Sequence, residues 1–488
     1  MPKAINNLKS VDREIGHIVS FFSGVAKIQG LPHVFLHEVL VTEKGVSAAV
    51  VIGFNERFVE AIFFDDNFNT EESLYRSQKI FQVLQSEKYI GRVVDGLGNP
   101  IDGLGEITGN ESTVFQQAPP IIDRSLVVVP FSTGIKIIDA CLPLGRGQRE
   151  LIIGDRKLGK TSVALDILLN QRDAERPVYC VYVVCGQKEE DVRELIAVFK
   201  KQNAFLYSTI VVAAANASFA ELYLAPFVGC TIAEYFRDTG KDALIIYDDL
   251  SKHAKAYRSI SLLLDRAPGR EAYPGDIFSL HAGLLERSAQ LSKEKGSGSL
   301  TSLPIVETQE DDITSFIPTN IISITDGQIY LGRNLFQKGF LPAVNIGLSV
   351  SRIGSQAQPK LLAGVAGGIR LALSQHQELQ KISQLETNLS AESELKIKRG
   401  DILLEILKQG KRVNVPWPQQ VILFYSINQG FFDDIESGAV SALSTYLVDM
   451  LGSHYGEILT RIRQGVFDED IKSRVSVIVK ESKTKFVQ

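Results

Sequence analysis

The run Gly154-Asp155-Arg156-Lys157-Leu158-Gly159-Lys160-Thr161 places a glycine, four residues and then Gly-Lys-Thr in succession. That is the spacing of a phosphate-binding loop, whose backbone N–H groups and following helix N-terminus face a phosphate chain. Lys160 then reaches the terminal phosphates, and the Thr161 hydroxyl is a magnesium ligand. The flanks suit this chemistry. Arg149-Glu150-Leu151-Ile152-Ile153 reads as a short apolar strand, and Ser162 to Leu169 has helical spacing. The alternative, a Gly-rich turn with a solvated lysine, has no use for a strand before it and a helix behind it.

A phosphate loop needs an acid at a nearby strand end. Ala243-Leu244-Ile245-Ile246-Tyr247-Asp248-Asp249 supplies one about ninety residues later. By itself this is a common solvated strand end. Paired with the loop, Asp248 becomes the carboxylate that orients magnesium-bound water. Hydrolysis also needs a group that positions the attacking water. At the end of Val183-Val184-Cys185-Gly186-Gln187-Lys188 stands Gln187, which is neutral and no base. Glu189 and Glu190 follow, opening a helix where acids are favoured by the helix dipole, and the residues alone leave them open as bases. Arg352, after Gly347-Leu348-Ser349-Val350-Ser351, reads in isolation as a surface or salt-bridging arginine. Its planar five-donor head also suits entry into a neighbouring subunit's nucleotide site. The loop Arg266 to Asp276 is stiffened by Pro268 and Pro274, and its Tyr273 offers contact area for a partner element. The seven histidines are scattered without metal-ligand spacing.

The elements that must hold these residues change character along the chain. Up to about residue 78, short β-branched and aromatic runs (15–22, 24–30, 35–41, 46–54, 58–64) suggest a small barrel or sandwich. Residues 91–103 are turn-rich, like a linker with short strands. From about 126, strands (178–185, 209–213, 243–247, 302–306) alternate with helices, the pattern of a mainly parallel sheet. From Leu362 onward helical periodicity prevails, interrupted by Pro416, Trp417 and Pro418. The expected division is 1–78, 79–358 and 359–488. A 488-residue chain with 44% hydrophobic and 22% charged residues is ordinary globular material of roughly two to four domains. The formal charge of −5 and the lack of Lys/Arg clusters around Phe21, Phe22 and Phe35 argue against nucleic acid as a ligand. Cys141, Cys180, Cys185 and Cys230 have apolar neighbours and no CxxC pairing, so buried free thiols in a reducing compartment are expected. No apolar run reaches the length of a membrane span, and the N-terminus shows neither a signal-peptide core nor a transit segment.

Taken together, the motifs resemble the alpha subunits of rotary F-type ATP synthases. The resemblance rests on Gly145-Arg146-Gly147-Gln148-Arg149-Glu150-Leu151-Ile152-Ile153-Gly154-Asp155-Arg156 with Gly159-Lys160-Thr161, on Gly186-Gln187-Lys188, and on Ile245 to Lys252. It continues through Pro268 to Asp276, Ile305 to Gln309, Pro318 to Gln328 and Ser349-Val350-Ser351-Arg352-Ile353-Gly354. It runs from about residue 14 to the C-terminus and is densest from 90 to 360. It implies an N-terminal β-barrel, a central RecA-like P-loop domain and a C-terminal helical domain. It also implies a ring of three alpha and three beta subunits around a gamma central stalk, with delta and b forming a peripheral stalk. Such subunits bind Mg-ATP or ADP without fast turnover. Glutamine, here Gln187, stands where beta carries its catalytic glutamate. Arg352 would be the arginine given to the adjacent beta site, with Ser323 near the same interface. Pro342, Gln409 and Lys411 would lie near the base. The implied setting is the cytoplasmic face of the bacterial inner membrane, attached through membrane subunits, rather than an organellar one.

Several positions depart from the family pattern. Lys157-Leu158 replaces Gln-Thr in the phosphate loop, and Gln409-Gly410-Lys411 replaces Gln-Gly-Gln near the base. Leu341 stands where an arginine precedes the proline, and Asp265 where a second arginine precedes Arg266. Only about fourteen residues precede the first strand, where the family has a stator-binding helix. Two competing readings are an autonomous export-type or RNA-translocating hexameric ATPase and a structural subunit with a decayed site. Gln187 opposes the first. Gly159, Lys160, Thr161 and Asp248 oppose the second, while Lys157, Leu158, Leu341 and Lys411 leave room for it.

Overall fold

The computed structural model describes residues 14–65, 67–68, 70, 72–383 and 390–487. The expectation about the segment ahead of the first strand falls on residues 1–13, outside the described residues. The backbone gathers into two units. One holds the residues up to Ser125, Arg176–Glu307 and Asp312–Thr325; the other holds Leu126–Glu175, Thr308–Asp311 and the chain from Asp326.

The first unit begins with six strands, Ile15–Phe22, Val25–Gly30, Glu38–Thr42, Ser47–Phe54, Val59–Phe63 and Ser73–Ile80. They close into a barrel in the order first, second, fifth, fourth, third, sixth. Five of them match apolar runs evident in the sequence. The sixth, Ser73-Leu74-Tyr75-Arg76-Ser77-Gln78-Lys79-Ile80, is largely polar and gives no such signal. Its Leu74 is nonetheless fully buried, beside Ile18, Ile28, Leu40, Val51 and Phe63 in the barrel core. Closure leaves no sheet edge to protect. Gly16 shows how tight the wall is: a Cβ there would lie 2.8 Å from both Ile28 and Leu31 side-chain atoms.

The same unit contains a parallel sheet. Val178–Gln187 lies between Ser208–Ala214 and Asp242–Asp248. Val93–Asp95 and Ser299–Thr308 extend the sheet on either side. The turn-rich stretch after residue 91 thus contributes a short strand, as its sequence suggests. These strands are buried along almost their whole length, which is why they read as unbroken apolar runs. Helices Glu189–Lys201, Phe219–Asp238 and Leu250–Leu263 belong to this unit. Cys180, Cys185 and Cys230 are buried here as free thiols. Arg287, 1% exposed, grips both oxygens of buried Glu234 and donates to the Val114 carbonyl and the Thr231 hydroxyl. In the Arg266–Asp276 loop Tyr273 and Pro274 are buried, whereas residues 267–272, Gly275 and Asp276 are exposed. Arg266 pairs with Glu60, Asp276 accepts from Tyr257, and Tyr273 is buried against Phe316 and Arg258. Tyr273 therefore makes its contacts with elements of this chain. Asp265, the departure beside Arg266, forms an ion pair with Lys27 at 2.6 Å.

In the second unit Glu150–Asp155 pairs in parallel with Gly327–Leu331, which takes Val350–Ser351 antiparallel on its other edge. Helix Lys160–Asn170 follows the first of these strands. The C-terminal part is helical: Lys360–Ala366, Ile369–Ser383, Ala391–Leu407, Trp417–Asn428, Ser437–His454, Gly456–Arg463 and Glu469–Val487. Pro416 caps the helix that Trp417 and Pro418 begin, a position where proline's fixed φ is an advantage. Barrel, α/β region and helical C-terminal region are all present, as the sequence leads one to expect. Among the described residues no helix is long and apolar enough to cross a membrane.

Candidate functional site

In the second unit the strand Glu150–Asp155 is wholly buried and ends at the loop. Gly154 has φ +156, and a Cβ there would meet the Leu331 carbonyl at 2.6 Å, so glycine is required for the strand to pass its neighbour. Gly159, with φ +95, caps the helix that starts at Lys160. Lys160 is buried and its ammonium donates to the Asp155 carbonyl at 2.7 Å, which holds it over the loop. Thr161, Arg156 and Lys157 are exposed, whereas Leu158 is buried. The Asp155 carboxylate faces away from this use. It accepts from Thr308 Oγ1 at 2.6 Å, from the Asp311 N–H at 3.0 Å, and from Arg333. Burial raises its pKa, but these donors outweigh burial and hold it below the usual carboxylate range. Asp155 thus braces the loop, leaving its backbone for a phosphate. The Ile305-to-Gln309 motif already contained Thr308, but nothing in the sequence pointed to Arg333 or Asp311.

The residues expected near the base lie in the same unit. The Gln409 N–H donates to the Leu341 carbonyl at 2.7 Å, so Gln409 sits beside the Leu341-Pro342 segment. Its side chain is fully engaged. Oε1 accepts from the Lys136 N–H at 2.9 Å, and Nε2 donates to the Gly134 carbonyl at 2.7 Å and the Val413 carbonyl at 2.5 Å. Lys136 is buried, and its ammonium caps the preceding helix at the carbonyls of Ile406 and Lys408. Burial pushes that ammonium down to about 8. The Arg412 N–H donates to Asp166 Oδ1 at 3.0 Å, and Asn414 donates to the Asp166 carbonyl at 3.1 Å, tying this loop to the phosphate-loop helix. Lys411 is exposed and Leu341 is 36% exposed.

Gln187 and Asp248 lie in the first unit, on adjacent parallel strands. Asp248 is 3% exposed, and both its oxygens accept hydrogen bonds: Oδ2 from the Tyr182 hydroxyl at 2.7 Å, Oδ1 from Gln187 Nε2 at 2.9 Å. Tyr182 is a partner that its apolar strand context concealed. Asp249 caps the helix Leu250–Leu263 through the Lys252 N–H at 2.8 Å. Burial raises Asp249 to about 6, against the lowering effect of Lys252. Glu189 is exposed and bound to Arg193 at 3.1 Å and Asn216 at 2.9 Å; Glu190 is exposed.

Arg352, in the second unit, is exposed and makes no ion pair among the described residues. Its main chain is fixed: the Arg352 N–H donates to the Asp326 carbonyl at 3.1 Å. The Asp326 carboxylate accepts from the Arg149 N–H at 2.9 Å and from Arg149 Nη2 at 2.8 Å. Glu150, next to Arg149 in the chain, is fully buried, with Oε2 accepting from Gln148 Nε2 at 2.8 Å and Oε1 without a hydrogen-bond partner. Burial drives Glu150 well above the ordinary carboxylate range, and the Arg352 charge only partly counters it.

Two family models match the chain. The nucleotide-binding domain of the ATP synthase alpha/beta family covers residues 134–351. The C-terminal domain of the ATP synthase alpha/beta chain covers residues 358–482. Among similar proteins, the ATP synthase subunit alpha of Helicobacter pylori (strain Shi470) is 46% identical over 477 residues, spanning 97% of this chain and 94% of that one. The ATP synthase subunit alpha of Helicobacter acinonychis (strain Sheeba) gives the same figures. That of Aquifex aeolicus (strain VF5) is 46% identical over 478 residues, again spanning 97% and 94%.

Proposed function

The chain belongs to the ATP synthase alpha/beta family, and from that membership we propose that it is an alpha subunit of the F1 sector of a rotary, two-sector ion-transporting ATP synthase. It binds ATP or ADP, alternates with beta subunits in a ring around a gamma stalk, and does not turn its own nucleotide over. The observation that carries this reading is the Gln187 amide donating to Asp248 at 2.9 Å. An ionised carboxylate cannot donate such a bond, so the residue at the strand end is built to hold Asp248 and not to take a proton from water.

The roles follow from the chemistry of each group. Gly154 to Thr161 provide backbone donors for the phosphates, and Lys160 provides the charge. The Thr161 hydroxyl and the Asp248 carboxylate are hard oxygen donors suited to Mg2+, Asp248 through water. Pro342 and the chain at Gln409 to Lys411 border the base, and Gln409 shapes that border because its amide is committed internally. Arg352 acts in the neighbouring beta subunit, where a guanidinium stabilises charge that develops on the transferring phosphoryl group. The remaining parts of the proposal are a division of the chain near residues 78 and 358, indirect attachment to the membrane sector at the cytoplasmic face of a bacterial membrane, and a peripheral stalk of delta and b.

The test is Mg-ATP binding and hydrolysis by the purified chain alone and assembled with its beta partner. Binding with negligible turnover alone, high turnover with beta, and a fall of about 10³-fold or more in R352A are expected. Strong turnover by the chain alone would overturn the proposal. Absence of nucleotide binding would leave only a scaffold.

A further inference from the structure

We infer that Gln148 is a positioning residue for Arg352: through Ser351 it sets the point at which the arginine leaves the sheet edge. The inference rests on the reading above that Arg352 works in a neighbouring site. The strand carrying Arg352 is only two residues long, Val350–Ser351, paired with Gly327 and Gln328. That ladder and the Arg352 N–H bond to the Asp326 carbonyl are few backbone ties, and each contributes only modest net stabilisation. Side chains supply what the ladder lacks. Gln148, fully buried, receives the Gly145 N–H on Oε1 at 2.9 Å. Its Nε2 donates to Ser351 Oγ at 3.0 Å and to Glu150 Oε2 at 2.8 Å. Ser351 Oγ donates in turn to the Pro143 carbonyl at 2.7 Å. One buried amide therefore ties the short strand Leu144–Gly145, the phosphate-loop strand and the residue before Arg352 to one another. Gly354 completes the fit, since a Cβ there would lie 1.6 Å from the Pro143 carbonyl oxygen.

The network also engages the Glu150 carboxylate, with which Arg352 makes no ion pair. Glu150 offers no exposed oxygen, and its contact to Gln148 is directed inward. The guanidinium is left exposed to reach outward.

The experiment uses the assembled alpha–beta complex with R352A, Gln148→Met, Ser351→Ala, Ser351→Thr and the double variant Q148M/R352A. Assembly and Mg-ATP binding to this chain's own site are measured beside steady-state hydrolysis. Q148M and S351A are expected to assemble, to bind nucleotide within about twofold of the parent, and to lose kcat by roughly 10- to 100-fold with KM little changed, since a misplacement of about 1 Å at a reacting centre costs that much. S351T, which keeps the hydroxyl, restores most of kcat. Q148M/R352A is no slower than R352A alone, because the amide acts only through the arginine. If Q148M fails to assemble, S351A and S351T carry the test. Parent-like kcat in S351A, or losses that add fully to R352A, would overturn the inference. R352A with parent-like turnover would instead overturn the functional reading on which it rests.

Discussion

Glu150 shows how one side chain is bent to its surroundings. It lies in the strand that leads to the phosphate loop, and sequence alone makes it one acid in an apolar run. The fold buries it completely and leaves one oxygen without a partner. Burial costs an ionised carboxylate in that place more than the Gln148 bond and the Arg352 charge return, so the group holds its proton well above the usual range. The sign of the consequence is fixed. An unfolded glutamate ionises near pH 4.5. Below that both states are protonated and nothing is lost. As pH rises the unfolded chain releases the proton freely while the folded one resists, so stability falls until the folded value is passed. E150Q keeps the shape and an acceptor for Gln148 but removes the titration. It should match the parent in urea midpoint near pH 4 and exceed it at pH 8, with hydrolysis by the assembled complex within about twofold. A variant destabilised equally at both pH values would show that the acid proton makes an essential bond.

At the scale of elements, the segment 409–415 illustrates what a sequence does and does not disclose. Gln409 and Lys411 could be named as neighbours of the base because they fall in a recognisable motif. That Gln409 spends its amide on Lys136, Gly134 and Val413 could not be read, because those partners are up to 275 positions away. The phosphate loop was legible because its chemistry is local: glycine spacing, a strand before and a helix after. The sixth barrel strand was not, because its polar residues are tolerated by closure of the barrel and not by any local pattern. The same loop yields a measurable coupling. Asp166, in the phosphate-loop helix, accepts the Arg412 N–H, and burial raises it to about 6 from 3.8 despite that bond and the charges of Arg412 and Lys411. Its folded value lies above its unfolded one, so stability is lost as pH climbs from about 4 to about 6 and is level beyond. D166N retains the acceptor and loses the charge. It should gain up to about 3 kcal/mol over the parent above pH 6, corresponding to roughly two units, and nothing near pH 4. Equal denaturation midpoints at pH 7.5 would mean that the neighbours of Asp166 compensate its charge in full and that its folded value is not raised.

For the molecule as a whole, the question is whether a complete nucleotide apparatus is one side chain away from being an enzyme. On the functional reading, the phosphate loop with Lys160 and Thr161, and Asp248, serve the nucleotide, and Gln187 stands where a base would be wanted. Gln187→Glu puts the question directly. The parent amide lies 2.9 Å from Asp248 Oδ1 and donates to it. A carboxylate in its place would set two acids within hydrogen-bonding distance in a site where Asp248 is 3% exposed. Two such groups cannot both ionise readily, so one proton is shared and the new acid is a poor base at neutral pH. A guanidinium must also enter from outside, because Arg352 is exposed and on the functional reading serves a different subunit's site. Q187E should therefore bind Mg-ATP but raise single-turnover hydrolysis by the isolated chain less than about tenfold between pH 6 and pH 8. A modest rise toward alkaline pH is expected as the shared proton leaves. A gain of 10²-fold or more at pH 7 would mean that one amide alone withholds catalysis, and that the division of labour between subunits rests on that side chain and not on the arrangement that surrounds it.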